Sequence, residues 1–173
     1  MGFNRNYQPE LLAPVQDWKA LKIIRGLTDA VYFGVETYNM RAKAINFKKN
    51  ELFDIVEYCH NSKPRMSAYL CTNILIYDSE LQDLEILISE AKDANIDALI
   101  VHDLAAIKIA KRYSMNFHIS TQANISNIES ARFYEDLGAE RIVLARELSL
   151  KQIAKIKEQL KRTKIECFVH GSM

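Results

Sequence analysis

The sequence has 173 residues and a formal net charge of +1, from 23 Lys and Arg against 22 Asp and Glu, which excludes an acidic tail, a polybasic membrane patch and an obvious nucleic-acid footprint. With 49% apolar and 26% charged residues the chain has a globular composition, not a disordered one, and its length suits a single domain or a large piece of one. The 5 glycines are isolated from one another, which excludes collagen-like or linker sequence and leaves no phosphate-cradling loop.

One pattern repeats along the chain: a short apolar run, a turn, then an amphipathic helix. A strand over Glu10–Pro14 leads into a helix over about 17–27, capped by Asp17. The strand Ala30–Val35 is followed by a long irregular stretch, Glu36–Asn50, and a helix over about 50–62. Next come the strand Met66–Asn73, the short irregular stretch Ile74–Asp78, and a helix over 79–95 with Asp78 as its cap. That helix is the clearest amphipath, with Leu81, Leu84, Ile88 and Ala91 on one stripe. Strand Ala98–His102 precedes a helix over 104–113 capped by Asp103, and strand Phe117–Thr121 precedes one over 126–137. Ser126 and Glu129 have the spacing of a capping box, and Gly138 suits the left-handed end of that helix. Strand Arg141–Ala145, a helix over 149–162 begun by the box Ser149–Gln152, and strand Glu166–Val169 complete the series.

Alternation of this kind gives an α/β fold: a parallel sheet of about seven strands with six helices outside it, a TIM-like (β/α) barrel that is incomplete. A full eightfold barrel takes about 250 residues. The sequence therefore reads as one barrel domain, 1–173, cut before closure, with an open sheet edge prone to association. No run of about 18 apolar residues suggests a membrane span. The start has no apolar signal region, and Met1-Gly2 is a weak myristoylation pattern because Asn6 and Tyr7 stand where Ser or Thr is preferred. Cys59, Cys71 and Cys167 are odd in number and far apart, with neither disulfide nor metal-ligand spacing, so they read as packing residues in a reducing cytoplasm.

In a parallel barrel, chemistry sits just past the C-terminal ends of the strands. Those positions hold Glu36, Asn39 and Arg41, then Asn73, then His102 and Asp103, then Gln122 and Asn124, then Arg146 and Glu147, and finally His170. Arg41 and Arg146 suit an anionic ligand, with Asn73, His102, Gln122, Asn124 and His170 as further polar contacts. Blander roles compete: Asp103 as a helix cap, His102 as a hydrogen-bonded strand end, Arg146 and Glu147 as an ion pair. The basic run 155–164 reads as the solvated face of the last helix. No nucleophile elbow, HExxH helix or local Cys–His signature is present, so the catalytic residues remain unassigned.

Glu10-Leu-Leu-Ala-Pro14, Asp29-Ala-Val-Tyr-Phe-Gly34, Asn39-Met-Arg41 with Asn46-Phe47, His118-Ile-Ser-Thr-Gln-Ala-Asn124, Arg141-Ile-Val-Leu-Ala-Arg-Glu-Leu148 and Glu166-Cys-Phe-Val-His-Gly-Ser-Met173 stand in an order and spacing that resemble peptidase family U32, the collagenase-like proteases. The last matches the family's Glu-x-Phe-x-x-Gly-Ser/Ala-aliphatic signature at Glu166, Phe168, Gly171, Ser172 and Met173, one residue short of its first cysteine. Val15-Gln16 and Leu27-Thr28 depart from the family's usual residues in the first turns. The resemblance implies an N-terminal barrel of a protein that, when complete, is an iron–sulfur-dependent hydroxylase of a tRNA or rRNA base with prephenate as oxygen donor. A 4Fe-4S cluster would then belong to the complete protein, with no cofactor inside this chain. A peptidase, and a non-catalytic subunit paired with a cluster-bearing partner, are the alternatives. The expected partners are RNA or a small-molecule substrate of the complete protein, and no membrane.

Overall fold

The computed structural model describes residues 9–170. Seven parallel strands lie side by side in sequence order: β1 (Leu12–Pro14), β2 (Ala30–Phe33), β3 (Ser67–Thr72), β4 (Ala98–Val101), β5 (Phe117–Ile119), β6 (Arg141–Val143) and β7 (Lys164–Glu166). The helices α1 (Trp18–Ile24), α2 (Leu52–His60), α3 (Leu81–Asp93), α4 (Leu104–Arg112), α5 (Ile128–Leu137) and α6 (Leu150–Gln159) make the crossovers. Because sequence order equals spatial order, successive crossovers step the same way and the twisted sheet curls into a half-barrel with its helices outside.

Strand parity sorts the side chains. Val31, Phe33, Ala68, Leu70, Leu99, Val101, Phe117, Ile119 and Ile142 face outward and join Leu21, Leu52, Ile55, Leu84, Ile88 and Ile107 of the helices in the main core. Ala30, Tyr69, Cys71, Ala98 and Ile100 point the other way and form a second cluster with Leu12 and Tyr32. Both faces are buried, which is why the strands read as unbroken apolar runs.

The helix starts show which local signals act. The Asp17 carboxylate accepts from Ala20 N at 2.7 Å, and Asp103 from Ala105 N at 2.7 Å. Ser149 and Gln152 form the expected capping box. Two expected caps are corrected. Asn127, not Ser126, caps α5: its backbone is extended and its side chain accepts from Ser130 N at 2.9 Å. Asp78 lies inside a 3-10 turn ahead of α3, and the Glu80 carboxylate bonds Tyr77 N instead, at 2.8 Å. The last strand also shifts, from the expected Glu166–Val169 to Lys164–Glu166. After Leu144 N bonds Glu166 O, the chain leaves the sheet, and Val169 is 89% exposed. Gly171 to Met173 of the signature, and the Met1-Gly2 start, lie outside the described residues.

The long segment after β2 is pinned at both ends. Phe47 stacks edge-on against Trp18 and Phe33 at 5.8 and 5.5 Å, and Trp18 Nε1 donates to Glu51 at 2.7 Å. At its start the buried Asn39 amide donates to the carbonyls of Val35 and Thr37 and accepts from Arg41 N at 2.8 Å. Asn39 lies so close to Gly34 that a Cβ there would stand 2.5 Å from its amide carbon. Gly34→Ala should therefore cost about 1–3 kcal/mol by overpacking, read as a lower urea midpoint.

Candidate functional site

The half-barrel interior holds a linked set of charges that strand periodicity did not single out. Before β1, Glu10 accepts from both terminal nitrogens of Arg141 on β6, at 2.9 and 2.6 Å, and from the Tyr69 hydroxyl on β3 at 2.8 Å. Arg141 also reaches Glu166 on β7 at 3.4 Å, and its side chain is 6% exposed. On β5, His118 packs edge-on against Tyr69 with ring centroids 4.6 Å apart. Its Nε2 faces the Glu140 carboxylate at 3.8 Å, while its Nδ1 is buried without a hydrogen-bond partner. Burial opposes every charge here. Hydrogen bonds from Arg141 and Tyr69 nonetheless hold the Glu10 carboxyl below its ordinary range. Burial pushes the Glu166 carboxyl up against the pull of Arg141, and it lowers the His118 imidazole, which is neutral at pH 7.

Above this interior lies the mouth formed by the C-terminal strand ends. Thr72 pairs with Val101 and Val101 with Ile119, so the next residues, Asn73, His102 and Ser120, stand abreast on the inner face. Asn73 donates to Ser120 Oγ at 3.3 Å and accepts from Met40 N at 3.4 Å, which ties the loop carrying Arg41 to β3. His102 is half-buried, with its Nδ1 buried and lacking a hydrogen-bond partner. Past β6, the Arg146 guanidinium lies over the Phe168 ring at 4.4 Å. The charges of Arg41 and Arg146 both bear on the hydroxyl of Tyr32, on the inner face of β2. Arg41, Asn73, His102 and Arg146 thus belong to one mouth. Gln122 and Asn124 occupy a 3-10 turn and its left-handed end, both exposed, and Glu147 and His170 are exposed too.

The mouth presents cations and hydrogen-bonding groups, with no histidine-activated nucleophile among the described residues. Among the described residues neither His102 nor His118 hydrogen-bonds a Ser, Thr or Cys, the arrangement an activated nucleophile needs. Burial pushes the thiols of Cys59 and Cys71 up to about 12, so both remain protonated. Cys167, expected to pack, is instead exposed. An iron–sulfur cluster needs converging thiolates. Cys59 lies in the helix-facing core, Cys71 faces inward and Cys167 lies past β7, and no group of three His, Cys, Asp or Glu among the described residues could hold a metal. Among the described residues the three thiols do not form a cluster site. A depression of about 460 Å³ lies at the opposite strand ends, lined by His60, Arg65 and Asp97. Asp97 there bonds Arg65 at 2.6 Å, His60 at 2.9 Å and Ala68 N at 2.8 Å, a set that fastens β3 to β4.

The family model of peptidase family U32 matches residues 16–173. The chain belongs to peptidase family U32. A protein of Methanocaldococcus jannaschii named as an uncharacterized protease is 40% identical over 169 residues, covering 95% of this chain and 41% of that protein. The collagenase of Porphyromonas gingivalis is 38% identical over 95% of this chain and 42% of its own length. The tRNA hydroxylation protein P1 of Bacillus subtilis is 36% identical over 96% of this chain and 39% of its own. The chain therefore spans about two fifths of the length of these U32 relatives. The solved structure of the U32 peptidase Mk0906 superposes with a TM-score of 0.73 at 18% identity, covering 96% of this chain and 73% of that one, which supports the barrel fold. No helix among the described residues is long and apolar enough to cross a membrane.

Two stability predictions follow from the U32 barrel's interior. Arg141→Met leaves the partly exposed carboxylates of Glu10 and Glu166 without their cation and should cost about 1–3 kcal/mol in urea unfolding. The His118 ring and the Lys164 ammonium hold the Glu140 carboxyl down to about 2 from an ordinary 4.5. In that interval the unfolded chain takes up a proton that the folded chain refuses, so this stabilisation is complete above pH 4.5 and lost as the pH falls toward 2. The urea-midpoint gap between wild type and Glu140→Gln should be constant near neutrality and close across that window. A gap independent of pH would remove the pairing.

Proposed function

We propose that this chain is the N-terminal barrel of a U32 protein that, when complete, hydroxylates a base in RNA, with transfer RNA as the first candidate, and that the barrel mouth holds part of the substrate. The observation that carries this reading is the mouth's chemistry. Arg41, Arg146 and Asn73 converge as cations and hydrogen-bond donors, and no nucleophile–base pair accompanies them among the described residues. Such a surface suits an oxygen-rich, acceptor-bearing ligand better than attack on a peptide carbonyl. The tRNA hydroxylation protein matches 96% of this chain, so its likeness extends over the whole mouth.

The reading includes a 4Fe-4S cluster in the complete protein, supplying one-electron chemistry. It assigns the cluster to cysteines outside this chain, because no three His, Cys, Asp or Glu among the described residues are grouped so as to hold a metal. The present residues would bind and orient the substrate. The protein would work in the cytoplasm, where its RNA substrate resides.

The test is a deletion of the full-length gene, followed by mass spectrometry of nucleosides digested from transfer and ribosomal RNA. Loss of one hydroxylated nucleoside, restored by wild type and reduced at least tenfold with Arg41→Ala, is the expected result. An unchanged nucleoside profile, with gelatin cleaved by the purified complete protein, would replace this reading by the peptidase one.

A further inference from the structure

Tyr32 makes no bond in the interior ionic link, although it lies on the inner face of the sheet near the C-terminal end of β2. It pairs in register with Pro14 of β1 and Tyr69 of β3, and its ring packs half-buried in the inner cluster. A phenol in such a place ordinarily finds a hydrogen-bond partner. None of the hydrogen bonds among the described residues involves the Tyr32 hydroxyl. Burial and the neighbouring Cys71 push its pKa up despite the arginines, so it remains an O–H donor.

Two guanidinium groups bear on that hydroxyl. Arg41 is exposed and makes no hydrogen bond or ion pair through its guanidinium with any described residue, although its backbone is fixed by Asn39. Arg146 is steered by the Phe168 ring beneath it. The nearby acidic group is Glu166, and Arg141 engages it from the interior side at 3.4 Å. Phenol and guanidinium are all donors, and their chemical complement is an oxyanion with several lone pairs.

We propose that Tyr32, Arg41 and Arg146 form an oxyanion subsite in the barrel mouth, which takes a carboxylate or phosphate group of the substrate. Its link to the reaction rests on the hydroxylase reading, but its occupancy is measured by binding alone. Tyr32 supplies a neutral, directional donor and the two arginines supply charge, so the subsite discriminates against uncharged groups of the same shape.

The test is an NMR titration of this chain, following arginine Nε–H and tyrosine ring signals, with malonate and inorganic phosphate as separate probes. The expected result is saturable shifts centred on Tyr32, Arg41 and Arg146 with at least one probe. Arg41→Ala should weaken binding about 10-fold or more, and Tyr32→Phe about 3- to 10-fold, as for loss of one hydrogen bond to a charged group. Arg112→Ala, at a surface arginine bound to Glu85 at 2.9 Å, should change nothing. Preference for malonate assigns the subsite to a small carboxylate, and preference for phosphate to a phosphorylated group. Absence of saturable shifts, wild-type binding by both mouth variants, or equal loss in Arg112→Ala would overturn the subsite. Binding with an unchanged nucleoside profile in the deletion strain would keep the subsite and remove the hydroxylase reading, and the converse pair of results would do the reverse.

Discussion

One buried guanidinium holds the curl of this sheet. Arg141 on β6 reaches across the interior to Glu10 before β1 and along the sheet to Glu166 on β7, while Glu10 also accepts from Tyr69 on β3. Backbone ladders fix each strand to its neighbour only, and so leave the overall curvature free. A side-chain bond spanning 131 residues of sequence supplies the missing constraint. It works because one cation is shared by two carboxylates whose burial is unequal. Glu10, bound by two guanidinium nitrogens and a phenol, is comfortable as an anion, whereas Glu166, with a single longer contact, carries the desolvation cost.

Much of the fold was legible in the sequence, because parallel strands buried on both faces leave unbroken apolar runs that helix patterns separate cleanly. The caps at Asp17, Asp103 and Ser149 were legible for the same reason: each is a local signal with one geometric solution. Asn127 was missed because two capping residues stood side by side, and sequence cannot say which has the extended backbone. Strand β7 was misplaced because Phe168 and Val169 look like strand residues. Phe168 serves instead as a platform for Arg146, and Val169 is solvent-facing. The strand-end residues were found by position alone. Tyr32 was not, since a tyrosine in a strand looks like packing until its neighbours are known. Arg141 did leave a trace, as a charge at the head of the apolar run Ile142–Ala145, but its partner lay too far along the chain to be inferred.

The two ends of the half-barrel divide the work. At the N-terminal strand ends, polar groups satisfy one another: Asp97 gathers Arg65, His60 and a β3 amide, and Glu135 takes the amides of residues 161–163. Each of these groups closes a connection between successive units. At the C-terminal ends the same kinds of groups are left with capacity to spare. His102 keeps a bare buried nitrogen, the Arg41 guanidinium meets no carboxylate among the described residues, and Tyr32 keeps its proton.

That asymmetry has an energetic meaning. Leaving a buried polar atom without a partner costs about 1–3 kcal/mol, and a fold under selection for stability alone would fill or replace it. The interior shows that this chain can saturate a guanidinium when structure requires it, as Arg141 does with two carboxylates. At the mouth the Arg41 guanidinium meets no carboxylate among the described residues, although Glu36 follows strand β2 close by in sequence. The Arg41 guanidinium, on a backbone fixed by Asn39 and a loop tied down by Asn73, needs little reorganisation when a ligand arrives. The mouth thus leaves the Arg41 guanidinium and the Tyr32 hydroxyl open to a ligand, whereas the Arg141 guanidinium in the interior is spent on the fold.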